Sequence, residues 1–236
     1  MMTNNEEKQI AKYLLDKRLP VDMMLEVKDH MILQICEIQE KENTNFEDAF
    51  DKVKESWKKE LKLGFTLFSN RHYPKIVRKI LHKNTFYILY KAYLTELLIV
   101  VLWILAAKFS TLEVFETVFL MTKFALVAVA VLVMIFNYDI ILQKIKTKHS
   151  FSIYNEGTNY LFVGLMMQLM IYLFYDLTIK NIFSSLNNTN GVDFFDLITA
   201  ITSTMIFQSY LIVGVISFYK YKKVLKTVKP FISELE

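Results

Sequence analysis

Glu26 and His30 stand four residues apart in the stretch LEVKDHMILQI. On a helix that spacing puts both side chains on one face. A carboxylate and an imidazole so placed can share a proton or hold a metal. A zinc site needs three or four ligands. The nearby additions are Asp29, Gln34 and Glu37, and no second histidine joins them. The zincin pattern, two histidines on one helix face with a glutamate between, is absent. The pair therefore reads as a local contact on a polar face. Glu26, His30 and Glu37 become a candidate face for docking a partner. Catalytic, cofactor-binding and metal-ligating residues are all expected to be none. Nucleophile elbows, phosphate-binding loops and dinucleotide fingerprints are missing as well.

A second pair lies in very different surroundings. Glu96 falls in the middle of a long apolar run, and Lys123 about seven residues inside the next. At 1.5 Å per helical residue their depths differ by roughly 6 Å, which long side chains can span. Both are expected to face the interior of a helical bundle. A charge inside a membrane span is a functional hypothesis by default. Two readings stay open: a structural ion pair, or part of an ion path. Gly164 and Gly214 occupy matching depths in two later runs, where small residues let helices approach closely. Gln168, Thr199, Thr202, Ser203, Thr204, Gln208 and Ser209 make the same runs moderately polar.

The elements that must position these residues follow from composition. The chain has 236 residues, 53% of them hydrophobic, with a mean hydropathy of +0.28. Soluble domains are nearer 45–50% apolar. Its three prolines, Pro20, Pro74 and Pro230, leave residues 75–229 without a helix breaker of that kind. One cysteine, Cys36, excludes an intramolecular disulfide framework and a cysteine-rich zinc site. The first 85 residues are charged, so no secretory signal peptide is expected.

Residues 1–65 carry 11 Lys/Arg and 14 Asp/Glu and read as a three-helix cytosolic domain. The first helix runs from about Glu6 to Arg18. Leu19-Pro20 ends it, because a proline disfavours helix in the residue before it. The second runs from about Asp22 to Lys41, with the stripe Met24, Val27, Met31, Ile35 and Ile38. The third starts at the N-cap Asn45 and carries Phe46, Ala49, Phe50, Val53, Trp57 and Leu61 on one face. Residues 66–85 hold Arg71, Lys75, Arg78, Lys79 and Lys83 and no acidic residue. They read as a basic amphipathic connector at a membrane surface, where each basic residue contributes about 1 kcal/mol against anionic lipid.

Residues 86–219 read as four spans, at about 86–107, 116–137, 158–177 and 197–219. Each is close to the roughly 20 apolar residues a bilayer core requires. Basic residues concentrate before the first span, at Lys144, Lys146 and Lys148, and in the tail 220–236. The other connectors have Lys108 and Lys180 alone. The positive-inside rule then puts both termini in the cytoplasm of a bacterial inner membrane. Asn187-Asn188-Thr189 fits the short N-glycosylation pattern in the expected outer loop. The expected fold class is all-α: a three-helix cytosolic domain followed by a four-helix transmembrane bundle.

The stretch YLLDKRLPVDMMLEVKDHMILQICEIQEKENTNFEDAFDKVKESW resembles the HAAS-type N-terminal helical domain of bacterial membrane signalling proteins. The resemblance rests on Leu19 at the end of the first helix, on Glu26 and His30 in the second, and on Phe46-Glu47-Asp48-Ala49 opening the third. It implies a signalling role and a cytosolic protein partner such as a PadR-like transcription regulator.

The favoured function is a regulatory or sensor protein that couples a membrane bundle to a cytosolic partner. The alternative is a small transporter or permease component with Glu96 and Lys123 in the path. An enzyme is not expected: a lipid-modifying one would need a His or carboxylate cluster near the inner interface, where only Asp139, His149 and Glu156 lie. The lipid bilayer is an expected partner, direct nucleic-acid binding is not, and a homo-oligomer is left open.

Overall fold

The first helix begins with a reciprocal cap. The Thr3 backbone N–H donates to Glu6 Oε2 at 2.6 Å, and Glu6 N–H donates to Thr3 Oγ1 at 3.4 Å. From there α1 runs over Asn4–Asp16. Arg18 then takes a left-handed conformation, with φ 57°, ahead of Leu19-Pro20. α2 follows over Val21–Glu42 and ends on Asn43 at φ 49°; asparagine tolerates that region better than most residues. Asn45 caps α3, Phe46–Trp57, by accepting from Asp48 N–H at 2.9 Å.

The computed structural model describes residues 2–66, 69–146, 152–155, 157–173, 175–187 and 194–232. Lys148, His149, Glu156, Asn188 and Thr189 lie outside them. The chain divides into two units. One comprises Met1–Thr85, Thr147–Glu156 and Tyr221–Glu236; the other comprises Phe86–Lys146 and Gly157–Lys220.

In the first unit the apolar stripes of α1, α2 and α3 close on one core. Ile10, Leu14, Met24, Val27, Met31 and Phe50 are all buried there. The Phe46 and Phe50 rings stack at 5.4 Å, and Tyr13 meets Phe50 edge-on at 5.8 Å. After α3 comes an antiparallel hairpin that the sequence reading did not anticipate. Its strands are β1, Leu63–Thr66, and β2, Ser69–Pro74, with Gly64 opposite Tyr73 and an irregularity between Gly64 and Thr66. The Arg78 side chain lies across Gly64: a Cβ there would sit 2.8 Å from the guanidinium carbon. Glu60 and Lys75 pair at 2.7 Å, tying the end of α3 to the start of the next helix.

That helix, α4, runs unbroken over Lys75–Phe109. Residues 75–85 of the basic connector and the first apolar run are therefore one helix, since neither proline nor glycine interrupts residues 75–109, while the start of the connector lies in the hairpin. α5, Leu112–Ile135, starts on the Thr111 cap after a short turn. α6 covers Tyr138–Lys146, α7 Asn159–Leu173 and α8 Tyr175–Asn187. The expected third span thus falls on two helices. α9 covers Phe194–Ile232, taking in the fourth run and most of the basic tail. The fold is all-α apart from the one hairpin among the described residues. Among the described residues, three helices are long and apolar enough to cross a membrane: α4, α5 and α9.

Two apolar clusters organise the second unit. One gathers Trp103, Phe115, Phe119, Ile182 and Ala200 from α4, α5, α8 and α9. The other gathers Val133, Ile141, Leu161, Leu211 and Phe218 from α5, α6, α7 and α9. Gly164 and Gly214 let α7 and α9 nearly touch. A Cβ on Gly164 would stand 2.6 Å from Leu211 Cα, and one on Gly214 would stand 2.5 Å from Leu161 Cα.

Candidate functional sites

The exposed side of α2 carries Glu26, His30 and Glu37, and all three are exposed. No hydrogen bond or ion pair joins Glu26 to His30. Glu37 instead pairs with Lys41 at 2.5 Å, which holds its carboxyl below the usual value through that hydrogen bond and the nearby charge. Between His30 and Glu37 sits Leu33, 66% exposed. Positions 26, 30, 33 and 37 fall on one narrow stripe at 3.6 residues per turn. An exposed leucine flanked by acidic and imidazole groups has the anatomy of a small docking face, apolar at its centre and polar at its rim. The sequence reading passed over Leu33. Its signal was an apolar residue out of phase with the buried stripe.

The opposite end of α2 meets a distant part of the chain. Asp22 Oδ2 accepts the backbone N–H of Ile153 at 3.2 Å. Ser152 is fully buried and its side chain hydrogen-bonds the same carboxyl. Ile153 packs against the core of α1–α3. Burial pushes the Asp22 carboxyl up to about 6, against the lowering effect of these hydrogen bonds. Tyr154 is raised too, first by burial and then by the Asp22 charge. Residues 152–155 thus pack against the first unit's core. No local pattern announces a contact between residues so far apart in sequence.

The second unit holds a layer of polar side chains between its two apolar clusters. On α4, Glu96 lies one turn before Val100 of the Trp103 cluster. On α5, Lys123 falls between Phe119 of that cluster and Leu126 of the other. On α9, Gln208 falls between Met205 and Leu211 in the same way. Gln168 is one turn past Gly164 on α7. The close approach of Gly164 to Leu211, and of Gly214 to Leu161, fixes the antiparallel register. One turn further on, that register brings Gln168 level with Phe207 and Gln208.

Glu96 is 1% exposed and Gln208 fully buried. Both oxygens of Glu96, Lys123 Nζ, Gln168 Nε2 and both polar atoms of the Gln208 amide lack a hydrogen-bond partner. Each such group, left buried, costs on the order of 1–3 kcal/mol. Glu96 and Lys123 feel each other's charge without forming a direct contact. The ammonium lies 5.5 Å from the Trp103 ring centre and 5.3 Å from that of Phe119, within the range of a cation–π attraction. Trp103 Nε1–H donates to Thr122 Oγ1 at 2.9 Å, and the Thr122 hydroxyl donates to the Phe119 carbonyl at 2.8 Å. These bonds fix the indole beneath the ammonium.

Among the described residues no group of three or more His, Cys, Asp or Glu side chains is arranged to hold a metal ion. No family model, no curated protein and no solved structure matches this chain.

Proposed function

We propose that this chain is a bacterial inner-membrane regulatory or sensor protein. Its four-span membrane bundle has both termini in the cytoplasm. Its three N-terminal helices form a cytosolic domain that holds or releases a protein partner on the face of Glu26, His30, Leu33 and Glu37. The supporting observation is the Asp22–Ser152–Ile153 contact. A sensor needs a physical link between what lies in the membrane and what meets the partner. The segment 152–155 lies between α6 and α7 in the sequence, packs against the core of α1–α3 through Ile153 and bonds Asp22 at the start of α2. On this reading, a change in the membrane bundle reaches α2 through that segment. By the resemblance of residues 10–60, the partner is a transcription regulator of the PadR-like kind.

The test is affinity isolation of the full chain from native membranes, comparing wild type with the triple variant E26K/H30E/E37K. The proposal expects one cytosolic protein to accompany wild type and to be lost from the variant. An Ile153→Asp variant should change how much of that protein is retained. If wild type brings down no cytosolic protein, the sensor reading fails.

A second reading has its own support. The carboxylate of Glu96 and the ammonium of Lys123, buried and without hydrogen bonds between the apolar clusters, suit a small transporter or permease component. Loss of a transport phenotype in Glu96→Gln, with partner retention unchanged, would favour it.

A further inference from the structure

The polar layer of the second unit holds two opposite charges that do not meet. The Trp103 and Phe119 rings lie 4.5 Å apart and set the register of α4 against α5. Seven residues from each, Glu96 comes level with Leu126, three residues and about 4.5 Å of rise from Lys123. A helical side chain leans toward the N-terminus of its own helix. α4 and α5 run in opposite directions on either side of a short turn, so the two side chains lean apart. The Lys123 ammonium accordingly lies over Phe119, four residues back. Glu96 and Lys123 therefore form no direct hydrogen bond.

Gln208 belongs to the same layer, between Met205 of one apolar cluster and Leu211 of the other. The glycine contacts hold Gln168 level with it. Glu96, Gln168 and Gln208 are each more than nine-tenths buried. Among the described residues, both Glu96 oxygens and the Gln208 oxygen are acceptors without a hydrogen bond. Lys123 Nζ, Gln168 Nε2 and Gln208 Nε2 are donors without one. A buried charge left uncompensated is strongly destabilising. A lone cation would satisfy Glu96 and be repelled by Lys123; a lone anion would do the reverse. One molecule that carries both charges meets both. Lys123 is the one member of the layer that is only partly buried, so entry is on its side.

We propose that Glu96, Lys123, Gln168 and Gln208 bind a small zwitterion of the amino-acid class. Its ammonium donates to the Glu96 carboxylate, its carboxylate accepts from the Lys123 ammonium, and the two amides take the bonds that remain. Charge-assisted hydrogen bonds of this kind are the strong ones. Trp103 and Phe119 hold the Lys123 ammonium in place for them. The inference deepens the transporter reading and rests on it, naming the class of solute that reaches Glu96 and Lys123.

The test reads the fluorescence of Trp103, which lies against the Lys123 ammonium. Trp57→Phe leaves it as the sole tryptophan of the full chain. That parent protein, in detergent, is titrated with glycine, sodium acetate and methylammonium chloride. Glycine should change the emission saturably, at a concentration about tenfold or more below that of either half-molecule. E96Q and K123Q, in the same background, should each weaken glycine binding about tenfold or more. K91Q removes an exposed charge of α4 outside the layer and should bind as the parent does. Acetate or methylammonium acting as strongly as glycine would assign the layer to a single ion and overturn the proposal. No saturable response to glycine would leave the layer to water and overturn it too, as would equal loss in K91Q and E96Q. Should a variant fail to fold by circular dichroism, the wild-type chain decides without substitution: its thermal midpoint must rise with glycine and not with the two halves. Uptake of labelled glycine and of rubidium ions into proteoliposomes separates the site from the transporter reading. Glycine bound but not carried upholds the site and rejects transport; rubidium carried without glycine binding upholds transport and overturns the site.

Discussion

Gly214→Ala is the sharpest probe of how the second unit is assembled. The new methyl would sit 2.5 Å from Leu161 Cα and closer still to Leu161 N. These are backbone atoms, which cannot rotate away. Ordinary contact starts near 3.4 Å, so α7 and α9 must separate locally by about 1 Å. A gap of 0.5–1 Å forfeits roughly a quarter to a half of each affected dispersion contact. Lipid tails offer no hydrophobic drive to restore the pairing. Overpacking of this kind costs about 1–3 kcal/mol, and with backbone on the far side about 2 kcal/mol is expected here. Gly164→Ala acts on the same helix pair, since its methyl would stand 2.6 Å from Leu211 Cα. Once one alanine has parted the helices, the other should add less than its separate effect. The assay is denaturant or thermal unfolding of the full chain in detergent micelles, for wild type, both single variants and the double variant. A Gly214→Ala protein within about 0.5 kcal/mol of wild type, inside the range of an inconsequential substitution, would refute the close approach.

Three further outcomes follow from the geometry. Asp22, raised from 3.8 to about 6, carries a penalty in the folded state that is full above pH 6 and fades as the pH falls toward 3.8. At 1.36 kcal/mol per unit that is up to about 3 kcal/mol, so the wild-type thermal midpoint should rise between pH 7 and pH 5 relative to D22N; parallel profiles would refute it. Thr122→Val removes the acceptor for Trp103 Nε1–H and should lower stability by about 0.6–2 kcal/mol. The same substitution should alter Trp103 fluorescence. Met31→Ala opens a cavity in the α1–α3 core, where Met31 is fully buried, and should cost about 2–5 kcal/mol by chemical denaturation, far more than exposed Leu33→Ala.

Much of the first unit is written in short-range patterns. Met24, Val27, Met31 and Ile35 repeat every three or four residues, and they are the buried face of α2. Asn45 was legible as a cap because its side chain acts three residues ahead. Thr3 and Glu6 obey the same rule and were passed over, so α1 starts earlier than the apolar periodicity indicates. The hairpin had no such signal. β2 reads SNRHYP, without the alternation a half-buried strand shows, and the Arg78 side chain lies across its partner strand at Gly64.

The change of composition near residue 85 coincides with the boundary between the two units but does not break α4, because a helix backbone responds to proline and glycine rather than to charge. Depth along the spans could be counted from sequence, and it brought Glu96 and Lys123 into one unit. The rotation of each helix could not be counted. That rotation sets Lys123 over Trp103 and Phe119, and leaves it without a direct bond to Glu96.

The seat of Ile153 also sets a schedule. Its amide and the Asp22 carboxylate are separated by 131 positions in the chain. At synthesis rates of about 5–20 residues per second, the interval between them is roughly 7–26 s. During that time α1–α3 have emerged without the Ile153 side chain that packs against their core, and α4 and α5 must leave the ribosome before it appears. The N-terminal helices reach their final packing only after those two apolar helices have been made. Closure of the first unit thus keeps time with the production of the second, and a chain stalled between α5 and α7 would display an α2 still lacking its support.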